Sequence, residues 1–256
     1  MKAIGIIPAR LGATRFPNKP MALIHGMPMV GHCYHRARLA SGLTTTYVAT
    51  CDAEIADYVR GIGGAAVMTA TSHTRATTRT AEAMELIEAA NGEQIDVVVM
   101  VQGDEPLILP ETIAETLDHF SDPSVEIVNI MSRLRTYEQF VDKNNVKVVV
   151  NQNNDALYFS REPIPSPWHG VDDVPMYMQT GIIAFRRDVL LRFNRMAETR
   201  LEQIESIDMN RVLEMGGRIR MVPTESITIG VDTAQELVDV GELMKTDSTM
   251  PQYLKS

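Results

Sequence analysis

The chain lacks the marks of several common protein classes. Its 256 residues contain two cysteines, Cys33 and Cys51, too few for a disulfide framework and without zinc-type spacing. Buried thiols in a reducing cytoplasm are the expectation. No apolar run is longer than a strand, so no membrane span is expected. The opening "MKAIGIIPAR" breaks into proline and arginine too early for a signal peptide. There is no G-x-S-x-G nucleophile motif, no G-x-x-x-x-G-K-[ST] phosphate loop and no H-x-x-x-H pair on a plausible helix.

Negative charge is missing from one region. No Asp or Glu precedes Asp52, whereas Lys2, Arg10, Arg15, Lys19, Arg36 and Arg38 do, in a chain whose net charge is -9. An acidic total argues against general nucleic-acid binding. A local cluster of cations fits a small anionic ligand better than a polyanion track.

Apolar runs and helix-period segments alternate through the first half. Residues 3–7, 44–50, 65–68 and 96–102 read as buried strands, and 28–41, 53–60, 76–90 and 110–120 as helices. Met29, Cys33, Ala37 and Ala40 form one helical stripe, and Ala83, Leu86, Ile87 and Ala90 another. The "GIGG" at 61–64 follows a helix and reads as its cap. Such alternation predicts a mainly parallel mixed α/β sheet flanked by helices, with ligands beyond the carboxyl ends of the strands. The second half is richer in strands, at 125–132, 146–151, 156–160 and 180–185, with helices at 187–195, 201–215 and 233–245. Residues 161–176 hold four prolines and the sole tryptophan and read as a long loop. One domain spanning 1–256 is expected, with a nucleotide-binding part about 1–122 and an acceptor and dimerisation part about 123–256.

Three stretches carry chemistry. "ARLGATRFPNKP" (9–20) follows the first strand; Gly12 permits close approach of a ligand, and Arg10, Arg15 and Lys19 suit anionic oxygens. A loop with solvated charges is the other reading. "VQGDEP" (101–106) puts Asp104 at a strand's carboxyl end, either to hold a divalent ion or to cap the strand end. In "IGVDT" (229–233), Asp232 or Thr233 opens a helix as its N-cap, or Asp232 joins Asp104 on one ion. His73, beside Arg75 and Arg79, is the histidine expected to face a ligand.

Together these strings resemble the sugar-acid cytidylyltransferases, most closely those acting on 3-deoxy-manno-octulosonate (Kdo). The resemblance continues through "NNVKVVVN" (144–151), "ALYFSREPIP" (156–165) and "LEQIESIDMNRVL" (201–213). It implies the nucleotide-diphospho-sugar transferase fold, a cytoplasmic homodimer formed through the β-rich excursion, and Mg²⁺-dependent transfer of CMP from CTP to an acceptor hydroxyl. It further implies Pro8, Ala9, Arg10, Arg15, Lys19, His73, Arg75, Arg79 and Gln102 at the nucleotide, and Gln102, Gln179, Thr180, Glu205 and Asp208 at the acceptor. Asp104 and Asp232 would hold Mg²⁺, with Arg10 and Lys19 completing the catalytic set.

The departures concern the acceptor and the base. The family's H-x-S-G-T-[DE]-R becomes His73-Thr74-Arg75-Ala76-Thr77-Thr78-Arg79. Its H-L-G-I-Y becomes Gln179-Thr180-Gly181-Ile182-Ile183, and a Glu-Gln pair becomes Asp208-Met209. Such changes alter the hydrogen bonding of a polyhydroxy-acid pocket. The expectation is a Kdo-like sugar acid as acceptor. Alternatives are a different small acid such as a phosphonate, or an inactive nucleotide-binding module.

Overall fold

The valine run at 97–101 forms the middle of the sheet because both of its faces are buried. Val97, Val99 and Val101 enter one core while Val98 and Met100 enter the other. The structure, a computed structural model, describes residues 1–12, 16–226 and 228–254. In chain order its elements are β1 (Ala3–Ala9), the hairpin β2 (Leu23–Ile24) and β3 (Met27–Pro28), α1 (Met29–Leu39), β4 (Leu43–Thr50), α2 (Ala53–Gly61), β5 (Ala65–Met68), α3 (Ala76–Asn91), β6 (Val97–Val101) and α4 (Pro110–Asp118). There follow β7 (Ile127–Arg133), α5 (Tyr137–Val141), β8 (Lys147–Val150), β9 (Ala156–Ser160), β10 (Tyr177–Arg186), α6 (Arg187–Arg195), α7 (Arg200–Glu205), α8 (Met209–Glu214), β11 (Arg220–Thr224) and α9 (Ala234–Met244).

The main sheet runs β11-β7-β10-β6-β1-β4-β5, with β8 and β9 attached beside β10. Strands β6, β1, β4 and β5 pair in parallel, so their carboxyl ends share one edge. Strand β10 is antiparallel to both β6 and β7. Strand β1 runs on to Ala9, past its last register pair with β6 at Ile6. The chain therefore leaves the sheet at Arg10, directly above the end of β6.

A third, smaller core lies beneath that edge. Ile24, Met29, Val231, Val240 and Met244 are buried together, with Phe16 and Met250 packed against them. It ties the start of the chain to α9. A polar clasp reinforces the tie: Tyr253 Oη donates to His32 Nδ1 at 2.9 Å and accepts from Arg36 Nε at 3.1 Å. The Ile24 carbonyl can only accept, so His32 Nε2 carries the proton of their 2.8 Å bond. Arg36, fully buried, also pairs with Asp247. Burial lowers the His32 pKa to about 4, so the ring stays neutral as this network requires.

Several details differ from the sequence reading. The buried stripe of α3 is Thr77, Thr80, Ala81, Met84 and Ile87 together with Ala83, while Leu86 is 42% exposed and Ala90 is exposed. Buried threonines hid this stripe from a reading based on apolar residues. The helix expected at 201–215 is two short helices, parted at Ser206 by a left-handed backbone (φ 54). The hairpin β2–β3, α5 and β11 were not anticipated. Cys33 is buried, but Cys51 is only half-buried. Gly63, in the "GIGG" cap after α2, has φ 75. Among the described residues, no helix is long and apolar enough to cross a membrane.

Candidate active site

Where β1, β6 and the approach to α9 meet, three charged side chains converge. Lys19 begins a 3-10 turn, Lys19–Met21. Its Nζ donates to Asp104 Oδ2 at 2.7 Å and to Asp232 Oδ1 at 2.9 Å. Burial alone would lower the lysine's pKa, but the two carboxylates more than offset it and hold the ammonium above its usual range. Asp104 and Asp232 thus face one point, although their positions are 128 apart in sequence.

Local structure explains how each arrives there. Asp104 emerges from the end of β6, and its carbonyl accepts the Val231 N–H at 2.8 Å. Thr233, not Asp232, caps α9: Glu236 Oε2 accepts the N–H groups of Asp232 and Thr233, each at 2.7 Å, in a capping box. With capping assigned to Thr233, the Asp232 carboxylate faces the cleft.

Around this point opens a cleft of about 370 Å³. One wall is Pro8, Ala9, Arg10 and Gly12 with Phe16; the opposite wall is 73–76 with Arg79; Gln102 and Gly103 form part of the floor. A Cβ at Gly12 would meet no atom of the described residues within 4 Å, consistent with backbone open to the cleft. Arg10 NH1 donates to the His73 carbonyl at 3.1 Å, linking the two walls. The His73 ring is bound by Thr78 Oγ1 at 3.0 Å and Glu82 Oε2 at 2.5 Å, which fixes the start of α3. Arg79 is 3% exposed; NH1 donates to Thr69 Oγ1, and NH2 has no hydrogen-bond partner among the described residues. A buried guanidinium with a free donor in a cleft wall favours an anionic ligand. Arg15 lies outside the described residues.

Arg75 lines the same wall, where its NH1 donates to Ser206 Oγ at 3.4 Å and its NH2 lies 4.0 Å from Glu202. Glu202 is already held by Arg211 at 2.6 Å through both carboxylate oxygens. Asp208 accepts Thr77 Oγ1 at 2.8 Å in the first turn of α3; burial raises its pKa despite that bond. Gln179, Thr180 and Glu205 do not line this cleft. Gln179 donates its backbone N–H to Val146 O, and Thr180 is buried beside Asn129. Glu205 accepts from Ser160 Oγ and the Arg161 N–H, which outweigh burial and hold its pKa below the ordinary value. The structure therefore gathers the described nucleotide and metal candidates around one cleft, Gln102 of the acceptor set among them, and leaves Gln179, Thr180, Glu205 and Asp208 outside its lining.

Glu105 was missed by the sequence reading. It is buried in the core, where Oε1 accepts the Gly181 N–H at 2.7 Å and Oε2 has no partner among the described residues. Burial, and then the neighbouring Asp104, push its pKa up to about 8. Gly181 is required beside it, because a Cβ there would lie 2.6 Å from Gln102 Cγ and 2.7 Å from Glu105 Oε1. Two adjacent acids in "VQGDEP" gave no signal of which one would turn inward.

Among the described residues, no three His, Cys, Asp or Glu side chains cluster as a metal cage. Two converging carboxylates suit Mg²⁺ nonetheless, since it commonly takes one or two carboxylates and completes its shell with water and substrate phosphates.

A cytidylyltransferase family model matches residues 4–222. The chain is 42% identical over 253 residues to the 3-deoxy-manno-octulosonate cytidylyltransferase of Geobacter metallireducens, covering 94% of this chain and 97% of the relative. It is 40% identical over 256 residues to the enzyme of that name from Trichlorobacter lovleyi, covering 96% and 99%. A solved structure of CMP:2-keto-3-deoxy-manno-octonic acid synthetase complexed with CTP superimposes with a TM-score of 0.86 at 36% identity, covering 96% of this chain and 99% of the other.

Proposed function

The chain belongs to the cytidylyltransferase family, and from that premise we propose that it transfers CMP from CTP to the hydroxyl of a Kdo-like sugar acid, releasing pyrophosphate. The observation that carries the reading is the convergence of Asp104 and Asp232 on Lys19 at the edge of a cleft walled by arginines. Support also comes from the relatives' names and from the CTP complex of the solved structure.

In this reading Arg10, Arg15 and Lys19 meet the triphosphate, and Pro8, Ala9 and Gln102 border the base. His73, Arg75 and Arg79 form the facing wall. Asp104 and Asp232 hold Mg²⁺, which when bound supplies positive charge against the phosphates and the attacking oxygen. The chain's own work is positioning and charge neutralisation: the acceptor hydroxyl must lie in line with the leaving pyrophosphate, and fixed cations stabilise the charge that develops. Gln179, Thr180, Glu205 and Asp208 belong to the acceptor side, with Gln102 shared between nucleotide and acceptor. The reading includes one domain, a homodimer through the β8–β9 excursion and a cytoplasmic setting.

A second reading keeps the chemistry and changes the acceptor. It is favoured by Arg75, a cation in the cleft wall where the resembling family carries serine. Pyrophosphate release, measured with each of four nucleotides against sugar acids and phosphonates, tests both readings. CTP with Kdo as the best pair supports the first; CTP with another acid supports the second. No release from any pair with CTP would sink both. Asp104→Asn is expected to lower turnover by orders of magnitude without unfolding the protein.

A further inference from the structure

The ammonium of Lys19 stands at hydrogen-bonding distance from both carboxylates that the proposed function gives to Mg²⁺. Its side chain is 12% exposed, against 27% and 29% for Asp104 and Asp232. The lysine is thus the least solvated member of the trio and lies between the other two. A divalent ion binding both carboxylates there needs oxygens at about 2.0–2.1 Å and would crowd the ammonium. The repulsion between such an ion and an ammonium a few ångströms away is strong in a half-buried site. The ammonium and the metal ion therefore compete for the same carboxylates.

We propose that Lys19 is the resident counter-ion of the metal pair and keeps that pair closed to a bare divalent cation, so that metal and nucleotide enter together. The proposal rests on the metal reading of Asp104 and Asp232. The triphosphate supplies the change of partner. Its oxygens attract the ammonium, and the four-carbon stem of lysine lets the charge move from carboxylate to phosphate while its backbone stays in the Lys19–Met21 turn. Until then the lysine holds two half-buried carboxylates together that would otherwise repel. One side chain thereby keeps the site assembled and selects the order in which its ligands arrive.

The test uses Mn²⁺ as the probe, with free ion counted by electron paramagnetic resonance and no nucleotide present. Lys19→Gln and Lys19→Met are expected to bind Mn²⁺ about tenfold or more tightly than the wild type, because a competing charge is gone. Adding Asp104→Asn to Lys19→Gln should abolish the gain. A gain that survives this second change overturns the metal role of Asp104 and this proposal with it. Single variants no tighter than wild type, while the wild type takes up Mn²⁺ through Asp104 in its CTP complex, overturn the gating role alone. A measurement on unmodified protein covers the case in which both variants fail to fold. Reductive methylation of Lys19, read by mass spectrometry, should be slow in the nucleotide-free protein and fast only at the large Mn²⁺ excess that forces the bare ion onto the pair, as counted by the same resonance. Continued protection of Lys19 at saturating Mn²⁺ overturns the proposal.

Discussion

The backbone N–H of Val231 donates to the carbonyl of Asp104 at 2.8 Å. This bond sets the distance between the end of β6 and the approach to α9, and hence between the carboxylates of Asp104 and Asp232. Val231→Pro removes the donor. Turnover is expected to fall about a hundredfold, the scale of a 1 Å misplacement at a reacting centre. The stability cost of the lost bond is about 1–3 kcal/mol. Pyrophosphate release and urea unfolding on the same preparation check this; wild-type turnover would show that the bond does not position the pair.

Gly181→Ala places a methyl group 2.6 Å from Gln102 Cγ and 2.7 Å from Glu105 Oε1. Both neighbours must move, at an overpacking cost of about 1–3 kcal/mol. Gln102 lies in the floor of the cleft, so the KM for nucleotide should rise along with the loss of stability. An unchanged urea midpoint would mean that the floor yields freely.

Glu105 gives a pH signature on the alkaline side. Its folded pKa, about 8, is above the ordinary carboxylate value because of burial and then Asp104. Between roughly 4.5 and 8 the folded chain holds a proton at this group that the unfolded chain releases. Its contribution to stability therefore declines as pH rises through that window. Glu105→Gln keeps an acceptor for the Gly181 N–H and removes the titration. The variant should gain stability over wild type from pH 5 to pH 8.5, as read by thermal unfolding; a constant difference would contradict the shift.

His32 gives the opposite signature. Burial lowers its folded pKa to about 4, so from about pH 6.5 downward the unfolded chain takes up a proton that the folded one refuses. Stability falls as pH drops from 6.5 to 4, by on the order of 3 kcal/mol from this group, with no further loss below. His32→Asn should be less stable at pH 7 and flatter across that range. Urea midpoints at pH 7, 6, 5 and 4 measure both slopes.

Much of this architecture was legible where burial is two-sided or the pattern is short. The run Val97–Val101 reads as a strand because every side chain is apolar, and 187–195 reads as a helix from end to end. The α3 stripe was misplaced because Thr77 and Thr80 are buried as fully as Met84, and a hydrophobicity pattern weighs them as polar. Asp232 stayed ambiguous because Thr233 beside it is an equally good cap. Only the capping box with Glu236 separates their roles. The Lys19 bridge joins positions 213 apart in sequence, a distance at which no local pattern speaks. The motif strings located both the carboxylates and the lysine, and the fold set the lysine between them.

The order in which a ribosome delivers these parts has a consequence. Strands β1, β4, β5 and β6 are all in hand once Val101 has been made, and Lys19 with them. Asp232, α9 and the Tyr253 clasp are made more than a hundred residues later. A growing chain thus completes the parallel run β6-β1-β4-β5 long before it holds both carboxylates. Messages cut short ahead of codon 232 would encode Lys19 and Asp104 without Asp232 or the α9 side of the third core, so the carboxylate pair could never assemble in their products.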